Sequence, residues 1–463
     1  MKLPGAYASV DFSHVKNQYI AVICANMCAI SYGNLIGWLS PSLLLLLSPN
    51  SPMDTGPINT AQASWLGSIS YLGGFFGTFI FLVIIKLLGR KVAFCILAIP
   101  YFIFWLTVVL ANRLEYLYAA RVIAGIAGGG TSIAIPLFVS EIADDTIRGM
   151  LGSMLMVFAC FGILLAYVTG SYMTYTTAPY VMMIFPVALF VSFVFLPDTP
   201  MSLMSLNKAE AAEKSLKFYK SCTNKSKQDI DRFETEKAKL YSTIKANQEK
   251  GEKLVWADFT TKEARVGIAR GLCVVLLSIF CGSPVLLNYA SILFANSGSG
   301  LDPSLSAIIM ISIQLIATAT SSSLVDRIGR RILYILSSGG TAIGMTAMGT
   351  YVYLSFKGTD LTGFDWVPVT SLSFAVLSCN IGLIPLVFVV LLEVLPAKIR
   401  TVAATLCLSL ISFFMFLMVK FYPIIAEAVN MHSCMWFFAL VSVSGVIFAI
   451  FFLEETKGKS INT

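Results

Sequence analysis

Two carboxylates at the ends of long apolar runs are the residues best placed to do chemistry. Glu141 ends the first run, and Arg148 follows it seven residues later. Glu393 ends the second run, and Arg400 follows it at the same interval. Because a charged side chain in lipid costs about 2.5–3.5 kcal/mol even on the gentler insertion scales, a carboxylate kept there needs a partner. The equal spacing indicates one charged motif used twice.

Other charged stretches repeat in the same order. Leu88-Gly89-Arg90-Lys91 precedes the first copy of the motif, and Asp326-Arg327-Ile328-Gly329-Arg330-Arg331 precedes the second. Phe195-Leu-Pro-Asp-Thr199 follows the first copy, and Phe452-Leu-Glu-Glu-Thr456 follows the second. A parallel repeat with a period near half the chain is typical of transporters built from two like halves.

The elements that must position these residues are membrane helices. The chain has 463 residues, of which 57% are hydrophobic and only 12% are charged, with a mean hydropathy of +0.80. A soluble domain of this size could not cover its surface with so few charges. Apolar runs of roughly 20 residues match the thickness of a bilayer. The sequence therefore predicts an all-α polytopic membrane protein.

Twelve spans are predicted, six on each side of a polar stretch. The expected organisation is a tail at 1–18, a six-helix bundle at 19–196, a helical linker at 197–264, a second six-helix bundle at 265–453 and a tail at 454–463. The first apolar run lacks a small-residue cleavage site and precedes further spans, so it is interpreted as a retained helix, which Gly33, Gly37 and Pro41 are expected to break. The predicted spans are about 19–47, 62–85, 92–111, 116–140, 150–172, 180–196, 266–295, 304–325, 332–355, 366–392, 401–425 and 432–453.

The net charge of +7 does not indicate a nucleic-acid ligand, because the basic residues are concentrated in alternate loops. Arg90, the stretch 208–270 and Arg331 fall in loops on one side, whereas the other loops hold little beyond Arg113 and Lys357. This bias predicts that both termini and the linker lie in the cytoplasm.

The linker contains two stretches of helical spacing, about 207–220 and 225–250. Asn207 is expected to cap the first helix, and Glu/Lys pairs at helical intervals support the second. Two interpretations stay open. The linker is either a solvated connection between the bundles or a cytoplasmic latch that packs beneath them.

No enzyme activity, metal site or cofactor is predicted. Most of the ten cysteines lie inside apolar runs and show neither metal-ligand nor disulfide spacing. Gly128-Gly-Gly130 lies within a span, not between a strand and a helix, so it does not predict a phosphate-binding loop. Together with Gly73-Gly74 and Gly77 in span two and Gly125 in span four, it predicts close helix packing.

The motifs, in this order and in a frame of six spans plus six, resemble the sugar porter family of the major facilitator superfamily. The resemblance covers nearly the whole chain and is closest to the insect trehalose and hexose facilitator branch. The residues that carry it are Asp326-Arg-Ile-Gly-Arg-Arg331, Pro136 to Glu141 with Arg148-Gly149, Glu455-Thr-Lys-Gly458, Gly33 to Pro41, and Ser64-Trp65.

The resemblance implies alternating access, in which two bundles rock around a site near the middle of the membrane. It also implies that charged residues at the cytoplasmic mouth form a gate. A static topology anchor is the alternative, and the gate is favoured because an anchor would not need the carboxylates. The expected gate residues are Arg90, Lys91, Glu141 and Arg148 in the first half and Asp326, Arg330, Arg331, Glu393 and Arg400 in the second.

The sequence departs from the family pattern at the gate and in the sugar site. Lys86 stands where the family has a loop aspartate, which is expected to weaken the first lock or to shift its partners toward Asp144 or Asp145. In the sugar site, amides of the family are replaced by apolar or small residues, although one glutamine remains. Because a buried hydroxyl without a partner costs about 1–3 kcal/mol, these changes predict a pocket less suited to a hexose. The expected substrate contacts are Gln314, Asn288, Ser278, Phe388, Met156 and Asn380.

Three functions stay open. The resemblance favours facilitative uniport of a sugar such as trehalose or a hexose, by a monomer in the plasma membrane. The altered pocket suits a carrier of a less polar solute or a non-transporting sensor. Uniport is predicted because span one lacks the aspartate of proton-driven relatives and no histidine is embedded in the membrane, since His14 lies in the tail and His432 at the start of a span. Lys420 in span eleven is interpreted as snorkelling to the outer interface, with contact to an anionic substrate as the alternative.

Overall fold

Apolar runs bounded by turns and caps determine where the helices begin and end. The computed structural model describes residues 12–222, 227–249, 256–298, 300–396 and 399–453. The predicted tail at 454–463, the Glu455 motif within it and most of the predicted tail at 1–18 therefore lie outside the described residues. Twelve helical segments are long and apolar enough to cross a membrane. The prediction of an all-α protein with twelve spans is confirmed.

The first six spans are built from seven helices, because span one is broken at Trp38. A capping box begins α3, in which Asn59 and Gln62 each accept a hydrogen bond from the other's backbone N–H. The helices are α1 (Phe12–Gly37), α2 (Leu39–Leu46), α3 (Thr60–Leu88), α4 (Arg90–Leu110), α5 (Leu114–Ile142), α6 (Arg148–Tyr172) and α7 (Ala178–Phe195).

The last six spans contain two broken helices. Gly282, at φ +95°, interrupts span seven between α12 and α13. A π-helical turn at Cys379–Leu383 interrupts span ten, a device often found at functional sites. The helices are α12 (Lys262–Phe280), α13 (Ser283–Ala295), α14 (Pro303–Ile328), α15 (Arg330–Phe356), α16 (Val367–Ser378), α17 (Ile384–Val394), α18 (Arg400–Val429) and α19 (Met431–Phe451).

Four helices described in the linker connect the two sets of spans: α8 (Pro200–Ser205), α9 (Ala209–Tyr219), α10 (Lys227–Glu249) and α11 (Trp256–Thr260). We call the side of the molecule that holds them the linker side, and the opposite side the far side. The expectation that Asn207 caps α9 was wrong. Lys208 occupies the cap position, and Asn207 instead takes a left-handed conformation at φ +59° in the preceding turn.

The linker helices pack against the first half of the chain. The side chains of Leu216, Cys222 and Phe233 form a small apolar cluster between α9 and α10. Tyr219 is buried and donates from its hydroxyl to the Pro197 carbonyl at 2.6 Å. Gln18 of α1 donates to the Tyr219 carbonyl at 3.2 Å. This part of the linker is therefore a packed element and not a free connection.

Glycines let α3 and α5 approach backbone to backbone, as predicted. A Cβ atom added to Gly125 would lie 2.1 Å from the Ser70 carbonyl oxygen, and one added to Gly129 would lie 2.1 Å from the Gly74 carbonyl oxygen. A Cβ atom added to Gly33 of α1 would lie 2.0 Å from the Ala159 carbonyl oxygen of α6. These contacts hold together the helices that carry the charged motif of the first half.

Candidate functional site

The charged motif of the first half forms a network at the linker side. The Arg90 guanidinium, at the start of α4, donates from Nη2 to Glu141 Oε1 at 2.5 Å. The Thr199 hydroxyl, at the start of α8, donates to Glu141 Oε2 at 2.5 Å. Glu141 is largely buried at the end of α5, with 7% of its side chain exposed. Both of its oxygens are therefore held by charge-assisted hydrogen bonds from two different elements.

Asp198 extends this network by capping α4. Its Oδ1 accepts from the backbone N–H groups of Arg90 and Lys91, each at 3.2 Å, and from that of Thr199 at 2.7 Å. A carboxylate at a helix N-terminus satisfies unpaired N–H groups and opposes the helix dipole. The turn requires Gly89, at φ +87°, because a Cβ atom there would lie 2.3 Å from Asp198 Oδ2.

Two residues expected to join Glu141 have other partners. The Lys91 ammonium donates to the Val194 carbonyl at 2.9 Å, close to the end of α7. The Arg148 guanidinium lies 2.8 Å from Asp145 and donates to the Ala143 carbonyl at 3.3 Å. Since 47% of the Arg148 side chain is exposed, this pair is a surface contact worth little stability.

The second half repeats part of this geometry. Gly329 takes φ +99° before α15, as Gly89 does before α4. Arg331 donates to the carbonyls of Ala449 at 3.2 Å and Ile450 at 2.5 Å, near the end of α19. This contact parallels that of Lys91 with α7. Arg330 begins α15, half-buried, and the side chains of Asp326, Glu393 and Arg400 lie outside the described part of the structure.

Asp144 joins the linker to the first half. The sequence predicts it as an alternative partner for the charged residues of the gate. It pairs with Lys220 of the linker and, at 3.2 Å, with Arg232 of α10. Burial alone would raise the pKa of the Asp144 carboxyl, but hydrogen bonds from Lys220 and Gln18 and the Arg232 charge hold that pKa below its usual range. The carboxylate therefore stays ionised and keeps the linker attached.

A polar layer lies between the two halves, at mid-span and beyond. Asn288 of α13 donates from Nδ2 to the Tyr71 hydroxyl of α3 at 2.8 Å, while its Oδ1 has no hydrogen-bond partner among the described residues. The Tyr167 hydroxyl of α6 donates to the Leu287 carbonyl at 2.8 Å. Asn288, one of the predicted substrate-binding residues, therefore lies at the interface between the halves.

Gln314 lies at the same interface, between α14 and α6. Its Nε2 contacts Cys160 Sγ at 3.6 Å, and its Oε1 has no hydrogen-bond partner within the described ranges. Met156 lies one turn of α6 before Cys160, on the same helix face. Asn34 of α1 is fully buried, and both polar atoms of its amide lack a described partner.

The three remaining predicted contacts lie in the broken spans of the second half. Ser278 and Asn380 donate to carbonyls of their own helices, at 2.8 Å and 2.9 Å. They are brought near each other by the contact between Cys281 and Cys379, whose sulfurs lie 3.7 Å apart. Phe388 lies eight residues beyond Asn380 along α17 and is half-buried.

Arg121 is a functional candidate that the sequence reasoning missed. Its side chain is fully buried in α5 and donates to the Leu35 and Gly67 carbonyls, each at 3.3 Å, and to the Ser70 hydroxyl at 3.1 Å. None of the described carboxylates pairs with it. A lone arginine inside an apolar run was the signal that could have revealed it, because ionisable groups within spans are rare and usually functional.

The halves also meet near the far side. The Ser40 hydroxyl of α2 donates to the Ser291 hydroxyl of α13 at 3.0 Å. The Lys420 ammonium of α18 donates to the Ser64 hydroxyl at 2.8 Å and lies 4.1 Å from the centre of the Trp65 ring. Lys420 therefore contacts the other half of the chain, and does not simply extend to the membrane surface.

A family model described as "Sugar (and other) transporter" matches residues 18–463. The chain belongs to this sugar transporter family. It is 29% identical to the facilitated trehalose transporter Tret1 of Bombyx mori over 447 residues, which cover 96% of this chain and 85% of that protein. It is 27% identical to the transporter of that name in Polypedilum vanderplanki, covering 97% and 87% of the two chains.

Solved structures show the same fold. The inward-open xylose transporter XylE from E. coli matches with a TM-score of 0.76 at 20% identity, covering 96% of this sugar transporter and 98% of that chain. Its partially occluded inward-open form matches with a TM-score of 0.75 at 19% identity, covering 96% and 100%. The fold is therefore that of the major facilitator superfamily, and the family consists of transporters, not enzymes.

No group of three or more metal-ligating side chains occurs in the described part of this transporter. The residues brought together are instead hydrogen-bonding amides and hydroxyls between the halves and charged groups at the linker side. The first set suits a polar, uncharged solute. The second set links the ends of α4, α5 and α8, so movement of these helix ends relative to one another would break its hydrogen bonds.

Proposed function

We propose that this protein carries a small sugar, such as trehalose or a hexose, down its concentration gradient. The observation that carries the proposal is a set of buried amide atoms without a described partner, on Asn288 and Gln314 between the halves and on Asn34 of α1. Buried polar atoms usually have hydrogen-bond partners, so these atoms favour a ligand rich in hydroxyl groups. The trehalose transporters among the relatives support the same substrate class.

The proposed mechanism is alternating access. The solute binds between the halves near mid-span, where its hydroxyls bond the amides of Asn288 and Gln314, while Met156 and Phe388 contact its apolar faces. The halves then separate on one side and meet on the other. The charged network around Glu141, with its counterpart at Glu393 in the second half, is proposed to hold helix ends in the geometry of one state.

Uniport follows from where the acidic residues lie. Every aspartate and glutamate within the membrane-spanning helices falls in the first or last three residues of its helix. A proton-coupled carrier needs a titratable carboxylate that reaches the solute site, and these lie at the membrane edges instead. The protein is further proposed to act as a monomer in the plasma membrane, with its termini and linker in the cytoplasm, because basic residues concentrate on the linker side.

Uptake into proteoliposomes tests this proposal, with labelled trehalose and labelled glucose measured in parallel. We expect saturable uptake of one of them that is unchanged by an imposed pH gradient. Asn288→Leu and Gln314→Leu each remove hydrogen bonds to the solute, so each should reduce transport by about tenfold. Asn50→Ala, at an exposed position before α3, is the matched control and should transport normally.

Absence of uptake of either sugar by a folded protein would contradict the proposal. Thermal-shift screening of less polar solutes would then follow, because Met156 and Phe388 offer adaptable apolar surface. Acceleration of uptake by an inward proton gradient would contradict uniport while leaving the sugar in place.

A further inference from the structure

A cleft at the linker side of the first half lies apart from the proposed solute site. It lies between the start of α4 and helices α8 and α9, and its volume is about 540 Å³. Its walls combine two kinds of side chain. Lys91, Lys208 and Lys214 are basic, whereas Leu88 and Val92 belong to the ends of membrane spans.

The cleft is positively charged. Its one carboxylate, Asp198, is already engaged by the α4 N-terminus and accepts a further hydrogen bond from the Ser202 hydroxyl at 3.1 Å. Lys208 and Lys214 are exposed to solvent. Three lysines and one carboxylate line the cleft, so an anion placed there meets a net positive field.

Helix α9 contributes a lysine to the cleft wall, while its carboxylates are not part of that wall. Lys214 and Phe218, four residues apart, line the cleft. Glu213 pairs with Lys237 of α10 at 2.7 Å. Glu210 lies one turn before Lys214 and is not among the residues that line the cleft.

The apolar wall continues onto the lipid-facing surface. Leu88 and Val92 line the cleft and are themselves exposed, 48% and 41%, at the linker-side ends of α3 and α4. Phe195, which ends α7, is 82% exposed at the same level. A soluble anion would use only the lysines. A molecule with an anionic head and an acyl chain would use the lysines and these apolar side chains together.

We propose that this cleft binds the headgroup of an anionic phospholipid from the leaflet on the linker side. The phosphate lies between Lys208 and Lys214, near Lys91, and the upper acyl chain follows Leu88 and Val92. Basic pockets at this depth bind anionic headgroups because each nearby lysine adds electrostatic attraction within a Debye length of the surface. The bound lipid also holds α9 against α4, next to the network around Asp198.

Binding is measured on the purified full-length protein, by native mass spectrometry and by melting temperature in nanodiscs of pure phosphatidylcholine or phosphatidylcholine with phosphatidylserine. We expect retained phosphatidylserine and a higher melting temperature in the mixed nanodiscs. The double variant Lys208→Gln/Lys214→Gln should weaken binding by roughly thirtyfold. The double variant Lys262→Gln/Lys357→Gln removes the same charge at exposed positions elsewhere and should bind as the native protein does.

Equal retention by the native protein and the Lys208/Lys214 variant would overturn the proposal. So would equal binding of the water-soluble headgroup glycerophosphoserine, because that result would identify a soluble-anion site. Both readouts measure lipid binding and not uptake. Failure of the lipid site and failure of the proposed sugar transport are therefore distinguishable.

Discussion

At the scale of single residues, a hydroxyl completes the charged network of the first half. Glu141 accepts from Arg90 on one oxygen and from Thr199 on the other, each at 2.5 Å. The stretch Pro197-Asp-Thr-Pro-Met201 thus supplies two functional groups. Its carboxylate caps α4 and its hydroxyl holds Glu141, so the position of α8 is linked to that of α5.

Thr199→Val tests this link, because it keeps the shape of the side chain and removes the hydroxyl. A hydrogen bond to a charged group contributes about 1.5–3 kcal/mol, so we expect a lower melting temperature and slower uptake in proteoliposomes. Thr107→Val is the matched control, because the exposed Thr107 hydroxyl bonds only to the Ile103 carbonyl of its own helix. Native melting and uptake in Thr199→Val would show that the contact has no role in either property.

The residue scale also shows what sequence order can and cannot reveal. The contact between Arg90 and Glu141 was expected from the resemblance to the sugar porter family, with support from the repeated charged residues at the membrane edge. The partners of Lys91 and Arg148 did not follow, because a lysine reaching the end of α7 depends on how α4 and α7 pack. Asp198 appeared in the sequence only within the repeated stretch Phe195–Thr199, and its role as a cap requires the tertiary position of α8.

At the scale of elements, the spans and the break in span one were predictable, whereas the interruptions of spans seven and ten were not predicted. Charged turns and long apolar runs located most span ends to within a few residues. The breaks at Trp38 and Gly282 and the π-helical turn at Cys379–Leu383 lie inside apolar runs, where hydropathy does not change. Gly282 followed by Pro284 carried a signal of helix interruption, but the turn after Ser378 depends on packing against neighbouring spans.

The close backbone contact between α3 and α5 predicts that a larger residue at Gly125 destabilises the protein. Gly125→Ala places a Cβ atom against the Ser70 carbonyl, a backbone atom that cannot move alone, so the helices must separate. Overpacking of this kind costs about 1–3 kcal/mol, which should appear as a lower melting temperature in detergent. Gly152→Ala in α6 has open space around the new atom and should be neutral or slightly stabilising. Equal melting of the two variants would contradict the close packing.

At the scale of the whole molecule, two kinds of contact are segregated. The hydrogen bonds named above that join the halves include Gln314–Cys160 at mid-span and Ser40–Ser291 near the far side. All of them lie between mid-span and the far side. At the linker side, the named bonds of Arg90, Lys91 and Arg331 stay within one half. The structure therefore joins the halves on the far side, and opening that side must break the Ser40 and Lys420 contacts.

A reversible cross-link at Ser40 and Ser291 tests whether that opening is part of transport. The two hydroxyl oxygens lie 3.0 Å apart, so the pair Ser40→Cys/Ser291→Cys should form a disulfide with mild oxidant. If solute enters by separation of the halves on the far side, the oxidised variant should lose at least nine-tenths of its uptake and regain it on reduction. Because Cys281 and Cys379 lie close together, both are replaced by serine in the background, and each single variant serves as a control. Full uptake by the cross-linked protein would contradict far-side opening, because a covalent bond at this position prevents the halves from separating there.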